Sequence, residues 1–384
     1  MTSLGSLPLR DDLRGRSPYG APIIDVPVRL NVNENAFDVP ADVVAAVEER
    51  ISGVAASLNR YPDREFTSLR TLLARYLGNV LGRERPEGTV DSDPTIDPEM
   101  IWAANGSNEV LFHILQAYGG PGRRVLGFGP SYSMHPLITR STGADWIEEP
   151  RGDGFAITAD AAVAAVRAHS PDIVFVCTPN NPTGNSTPLS VVEAIYDATD
   201  GIVIVDEAYA EFAGDGFRTS LRLLGGRPRL VVSRTMSKAF AFAGARLGYA
   251  AADPAFVDGL RLVRMPYHLS ALTQAAADAA LEHPDSLLAR VDELSRQRDR
   301  MVDALRRCGF DVVGSDANFV LFRNIADPGL LWQRLVDRGV LVRDVGISGS
   351  LRVNAGTEAE TSAFLTAVED ILANHPETLG RSSQ

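Results

Sequence analysis

The feature that most constrains this chain is a series of short, nearly unbroken apolar runs separated by longer helical patterns. The runs are 124–128 (RVLGF), 173–177 (IVFVC), 202–206 (IVIVD), 230–234 (LVVSR) and 247–251 (LGYAA). A strand with one solvated face alternates apolar and polar residues. A strand apolar along its whole length is covered on both faces. Such strands between helical stretches specify an α/β fold, a mostly parallel sheet between layers of helices.

The flanking segments complete a domain plan. Residues 1–40, rich in proline and asparagine, read as an extended arm packing with a small domain. Residues 41–268 read as the large domain. It begins with a helix over 41–56, with Val43, Val44, Val47 and Ile51 on one face, and a second over 65–77 carrying Leu69, Leu72, Leu73 and Tyr76. Residues 79–98 mix proline, glycine and charge and predict a surface loop. Residues 269–384 read as a smaller α+β domain. In it a long charged helix runs from about 270 to Cys308, and a strand covers 318–322. A helix near 328–338, strands near 340–343 and 351–354, and a last helix from about 358 complete it.

Composition narrows the function. No apolar run approaches the roughly 20 residues of a membrane helix, and the first residues lack the apolar core of a secretory signal, which points to the cytoplasm. Two cysteines make no disulfide framework or thiolate cluster, and six histidines show no metal-ligand spacing, so no metal is expected. A net charge of -12 argues against nucleic acid as a partner, though local arginines can still attract a small anion into a cleft.

In open α/β sheets, ligands bind beyond the carboxyl ends of the strands. Three of the runs end there in polar groups: 178–184 (TPNNPTG), 206–209 (DEAY) and 233–238 (SRTMSK). Lys238 stands among small and apolar residues, with Ser237 before it and Arg246 eight positions on. Desolvation makes such a lysine a nucleophile toward carbonyls. On this segment alone, a surface lysine at a helix start fits as well. Asp206 closes an apolar strand, where a carboxylate needs a charged partner. A protonated pyridine nitrogen meets that need; a helix cap or a metal-binding aspartate is the competing reading, and no phosphate loop accompanies it. Asn181 and Tyr209 offer hydrogen bonds to a ring oxygen. The turn 105–109 (NGSNE) precedes a helix and presents backbone N–H groups to an anion, or is a plain cap. Tyr132 is placed to stack on an aromatic ring, or to fill the core.

Taken in order, SPYG, LNVNEN, RYPD, NGSNE, PSYSMH, TPNNPTG, VDEAYAEF, RTMSKAFAFAGARLGY, ANFVLF and LRVNAGT resemble the fold-type I pyridoxal-phosphate (PLP) aminotransferases. The resemblance is specifically to the histidinol-phosphate aminotransferase family, over about residues 10–370. It implies an α/β PLP-dependent transferase fold, with a large domain and a smaller α+β C-terminal domain. It implies a catalytic set of Lys238, which carries the cofactor covalently, Asp206 at its pyridine nitrogen, and Tyr209. Asn181 joins Tyr209 at the ring oxygen, and Tyr132 stacks on the ring. Ser107, Asn108, Thr235, Ser237 and Arg246 cradle the cofactor phosphate. Tyr61 reaches the phosphate of the other subunit, implying a homodimer with shared active sites. Arg352, Arg343 and Tyr19 contact the substrate. The implied reaction converts L-histidinol phosphate and 2-oxoglutarate to imidazole-acetol phosphate and L-glutamate, in L-histidine biosynthesis, by ping-pong kinetics.

Two departures stand out. Ala36 occupies the place of a proline usual in the family, and the stretch 344–351 between the two arginines is short. The alternative on the same scaffold is an aromatic amino-acid aminotransferase, followed by a decarboxylase of an amino-acid phosphate. A regulator with an aminotransferase-like sensor domain needs a basic DNA-binding domain, for which a 40-residue arm is too short.

Overall fold

The computed structural model describes residues 6–15, 20–83 and 94–380. Its centre is a seven-stranded sheet: β1 (Ile101–Ala104), β2 (Arg124–Gly129), β3 (Asp145–Pro150), β4 (Ile173–Cys177), β5 (Ile202–Asp206), β6 (Leu230–Thr235) and β7 (Gly248–Ala252). In space they run β1-β7-β6-β5-β4-β2-β3. All neighbours pair in parallel except β7, which is antiparallel to both β6 and β1. The apolar runs read from sequence are the five inner strands, buried along almost their whole length. The two edge strands carry no such signal: β1 is four residues, IWAA, and β3 is a charged DWIEEP. Short or charged edges of this kind discourage pairing with another chain.

The register aligns the chemistry. Cys177 pairs with Asp206, Asp206 with Ser233, and Thr235 with Gly248. The carboxyl ends of β4, β5 and β6 therefore present their polar turns side by side.

Several expectations need correction. The helix Thr67–Arg83 runs through Gly78 and Gly82, so the predicted loop at 79–98 starts later; residues 84–93 of it lie outside the described residues. Leu77 and Leu81 are buried, and that packing outweighs the poor helix propensity of two glycines. Val44 is 39% exposed and does not share the buried face of Ala41–Ala55. The long helix expected to Cys308 is three: Ala271–Glu282, Pro284–Leu288 and Val291–Arg307. Pro284 lacks the N–H that would continue the first of them. The side chains of Ala271–Glu282 belong to the larger apolar cluster and pack on Ala41–Ala55, so this helix goes with the large core and not, as a boundary at 269 implies, with the small one.

The smaller cluster gathers around Phe319–Arg323 and Leu351–Asn354, which pair antiparallel, and around the helix Glu358–Asn374. Val28–Arg29 of the arm pairs in parallel with Val340–Leu341. Beyond that pairing, Asn31–Asn35 crosses between the two clusters, over the carboxyl ends of the sheet. Among the described residues, no helix is long and apolar enough to cross a membrane.

Candidate active site

Lys238 lies just beyond β6, in a turn anchored by the fully buried Met236, Ala239 and Phe240. Its Nζ donates to the carbonyl of Val32 at 3.1 Å. Burial, helped by the positive charges of Arg352 and Arg246 and opposed by Glu34, moves its pKa from 10.5 down to about 8. It is also the sole lysine in the 384-residue sequence, so no other side-chain amine can do what it does.

Asp206, at the end of β5, is buried with His135 Nε2 3.0 Å from its Oδ2, and its Oδ1 accepts from the Ser233 hydroxyl at 3.3 Å. The imidazole is itself held in a stack on Phe175, ring centroids 4.4 Å apart.

Asn181 and Tyr209 converge as expected. The Tyr209 hydroxyl accepts from Asn181 Nδ2 at 3.5 Å and from Asn33 Nδ2 at 2.9 Å. Burial is the main reason its pKa rises to about 12. Asn181 Oδ1 accepts from Arg352 Nη1 at 2.6 Å, and Arg352 Nη2 donates to the Asn31 carbonyl at 3.0 Å. The guanidinium also lies 5.1 Å from the Phe319 ring centroid.

The groups expected at a phosphate meet at the start of the helix Ser107–Tyr118. Two glycines permit their approach. A Cβ on Gly106, which has φ +89°, would sit 2.5 Å from Arg246 Nη2, and one on Gly248 would sit 2.1 Å from the Ser107 nitrogen. A guanidinium, a helix N-terminus and the hydroxyls of Thr235 and Ser237, 3.0 Å apart, make a donor-rich corner suited to a dianion. Tyr132 is held by Asn108, its hydroxyl donating to Oδ1 at 3.2 Å.

One cavity of about 340 Å³ is lined by Ser107, Asn108, Tyr132, Asn181, Asp206, Tyr209, Thr235, Ser237, Lys238 and Arg246. An adjoining cavity of about 250 Å³ shares Tyr132 and Asn181 as walls and adds Arg343 and Arg352. These two arginines face each other across an antiparallel bridge, and Arg343 Nη2 donates to the Gly20 carbonyl at 3.2 Å. A larger groove of about 690 Å³ at the opposite ends of β2, β4 and β5, lined by Arg123, Asp172 and Asp200, holds none of these groups.

Two sequence-predicted residues are not brought together with the rest. Tyr61 is 80% exposed and stacks on Tyr267, outside both cavities. Tyr19 lies outside the described residues. Sequence reasoning missed His135 and Asn33. A buried Asp206 demands a hydrogen-bonding neighbour, and His135, in PSYSMH, was the available signal; Asn33 carried none beyond its place in LNVNEN.

The site and sheet define a class. The model of the class I and II aminotransferase family matches residues 25–368, and the chain is an aminotransferase of that family. Within it, the chain belongs to the histidinol-phosphate aminotransferases. It is 56% identical over 372 residues to the histidinol-phosphate aminotransferase of Paenarthrobacter aurescens TC1, covering 96% of each chain. It is 52% identical over 366 residues to that of Thermobifida fusca YX, covering 95% of this chain and 96% of the other. The fold matches the crystal structure of histidinol-phosphate aminotransferase from Sinorhizobium meliloti in complex with pyridoxal-5′-phosphate. There the TM-score is 0.78 at 24% identity, over 91% of this chain and 92% of the other.

Proposed function

We infer that this aminotransferase moves the amino group of L-histidinol phosphate to 2-oxoglutarate, giving imidazole-acetol phosphate and L-glutamate, with pyridoxal 5′-phosphate in the 340 Å³ cavity. One observation carries the reading: the only lysine of the chain opens into the same cavity as a buried, histidine-held carboxylate, a pair of phenol and amide donors, and an anion cradle.

These residues fit the cofactor by their chemistry. Ser107, Asn108, Thr235, Ser237 and Arg246 would hold its phosphate, Asp206 its ring nitrogen, Asn181 and Tyr209 its ring oxygen, and Tyr132 its face. When bound, the cofactor supplies an aldehyde that captures amines and a ring that accepts electrons. Lys238, about half of it neutral at pH 8, would hold the cofactor, and its free Nζ would take a proton at the substrate carbon and return it. Asp206, fixed by His135, would keep a proton on the ring nitrogen. Arg352 and Arg343 line the adjoining cavity and bind the anionic end of each substrate in turn, a phosphate or a carboxylate.

The partner we propose is a second copy of the chain. Tyr61 stacks on Tyr267, and the exposed Leu262, 87%, and Met265, 73%, lie just before Tyr267 in sequence, apolar side chains that a second copy would cover. In that dimer Tyr61 reaches the other subunit's cofactor phosphate.

The test mixes cofactor-loaded protein with L-histidinol phosphate alone, then with L-phenylalanine alone, and follows the cofactor absorbance through one half-reaction. Faster loss of the lysine-bound band with histidinol phosphate is the expected result. The reverse preference reassigns the chain to aromatic amino acids and leaves Lys238 in place.

A further inference from the structure

Asn33 is 1% exposed and adopts φ +57°, a left-handed conformation that asparagine tolerates better than most residues. Its backbone is held on both sides. The Asn33 N–H donates to Asn354 Oδ1 at 3.2 Å, and its carbonyl accepts from Asn318 Nδ2 at 3.2 Å. Asn354 ends Leu351–Asn354, the strand of Arg352, and Asn318 immediately precedes Phe319–Arg323. The residues at the ends of two small-domain strands thus grip the arm at Asn33 as well. That residue turns its amide on the catalytic phenol, with Nδ2 2.9 Å from the Tyr209 oxygen. The other amide atom, Oδ1, is buried without a hydrogen-bond partner among the described residues, so the position is not one chosen for stability alone.

A phenol has one proton to donate and two lone pairs to offer. At Tyr209 both approaches from the protein are by donors, Asn33 Nδ2 and Asn181 Nδ2. The orientation of Asn181 is set by Arg352, which donates to its Oδ1. The single O–H of Tyr209 is left to point into the cavity its side chain lines. An oxygen that accepts a hydrogen bond is also the stronger donor.

The geometry points to Asn33 as a positioning residue: it occupies a lone pair of Tyr209, aims the hydroxyl proton at the cofactor's ring oxygen, and makes that donation depend on the arm being docked against the small domain. The inference rests on the reading that Tyr209 meets the ring oxygen of bound pyridoxal phosphate. A weaker donor leaves that oxygen less stabilised as an anion, so the lysine-bound cofactor holds its proton to higher pH.

The experiment is a pH titration of the absorbance of cofactor-loaded wild type, Asn33→Gly, Asn33→Asp, Tyr209→Phe and the double variant Asn33→Gly/Tyr209→Phe. Glycine keeps the left-handed backbone and removes only the amide. Aspartate keeps the shape and replaces the donor by an acceptor, so the reading survives should the glycine chain fold poorly. The midpoint is expected to rise by about 0.5 pH unit in Asn33→Gly, and at least as far in Asn33→Asp. In the Tyr209→Phe background the glycine substitution should add nothing. The inference is overturned if Tyr209→Phe raises the midpoint while both Asn33 variants leave it unchanged or lower it, the latter meaning that Tyr209 donates to Asn33. It is equally overturned if Asn33→Gly shifts the midpoint as far in the Tyr209→Phe background as in wild type. If Tyr209→Phe itself moves nothing, the assignment of Tyr209 fails, and the inference with it.

Discussion

Replacing Lys238 by methionine should make the cofactor-free protein more stable. The folded chain lowers the lysine pKa from 10.5 to about 8, mainly by burial. That shift makes the ammonium about 3 kcal/mol less favourable in the folded chain than in the unfolded one. Between the two values the unfolded chain binds more protons, so wild-type stability rises with pH from about 8 to 10.5 and is lowest, by the full amount, below 8. Methionine fills a similar volume and carries no proton. Urea denaturation of the stripped Lys238→Met protein should exceed wild type by about 3 kcal/mol at pH 7 and by under about 1 kcal/mol at pH 10. Because the chain has one lysine, the same pKa is readable from the pH dependence of Lys238 modification by an amine reagent. A stability difference that does not change between pH 7 and pH 10, or a modification midpoint near 10.5, refutes the reasoning.

Other outcomes follow from the same geometry. Changing His135 to phenylalanine keeps the stack on Phe175 but removes the contact to Asp206; kcat should fall by roughly 10- to 100-fold, and a loss under twofold in steady-state assays would mean Asp206 needs no such support. Arg352→Ala should lower kcat/KM on the order of 100-fold for histidinol phosphate and for 2-oxoglutarate alike. An effect on only one substrate, measured in separate half-reactions, argues against a shared anion site. Mixing inactive Lys238→Ala and Tyr61→Ala subunits should restore about one quarter of wild-type activity, since half the random dimers then contain one intact site. No recovery on mixing removes Tyr61 from the partner's site.

What the sequence reveals here depends on how local the signal is. Strands buried on both faces announce themselves as apolar runs, and all five predicted runs match inner strands to within a residue at either end. The edge strands β1 and β3 do not, because their stability comes from a neighbour already in place and not from their own composition. The break at Pro284 was visible as a proline, but the charged pattern on either side of it continues the same helical phase. For the site, the polar turns after β4, β5 and β6 marked the right strand ends, and the cavity gathers Lys238, Asp206, Asn181 and Tyr209. The absence of any second lysine is a stronger pointer to Lys238 than the segment around it. Asn33 was illegible, since its partners Tyr209, Asn318 and Asn354 lie 176, 285 and 321 positions away. Side-chain hydrogen bonds at such separations leave no periodicity to read.

The clamp that the arm makes over the site also sets an order of events in time. Asn31 meets Arg352, and Asn33 meets Asn354, each across 321 positions of sequence. Contacts that distant form only after the intervening chain has collapsed, and they close very large loops. During synthesis Lys238 emerges 114 residues ahead of Arg352, an interval of roughly 6 to 23 seconds at ordinary elongation rates. Through that interval the large sheet can assemble around the lysine, but the carbonyl of Asn31 has no guanidinium to receive, and the backbone of Asn33 has neither of its asparagine partners. The arm and the small-domain strands therefore act as a late latch: the reactive amine acquires its finished surroundings only once Asn318, Arg352 and Asn354 have been made.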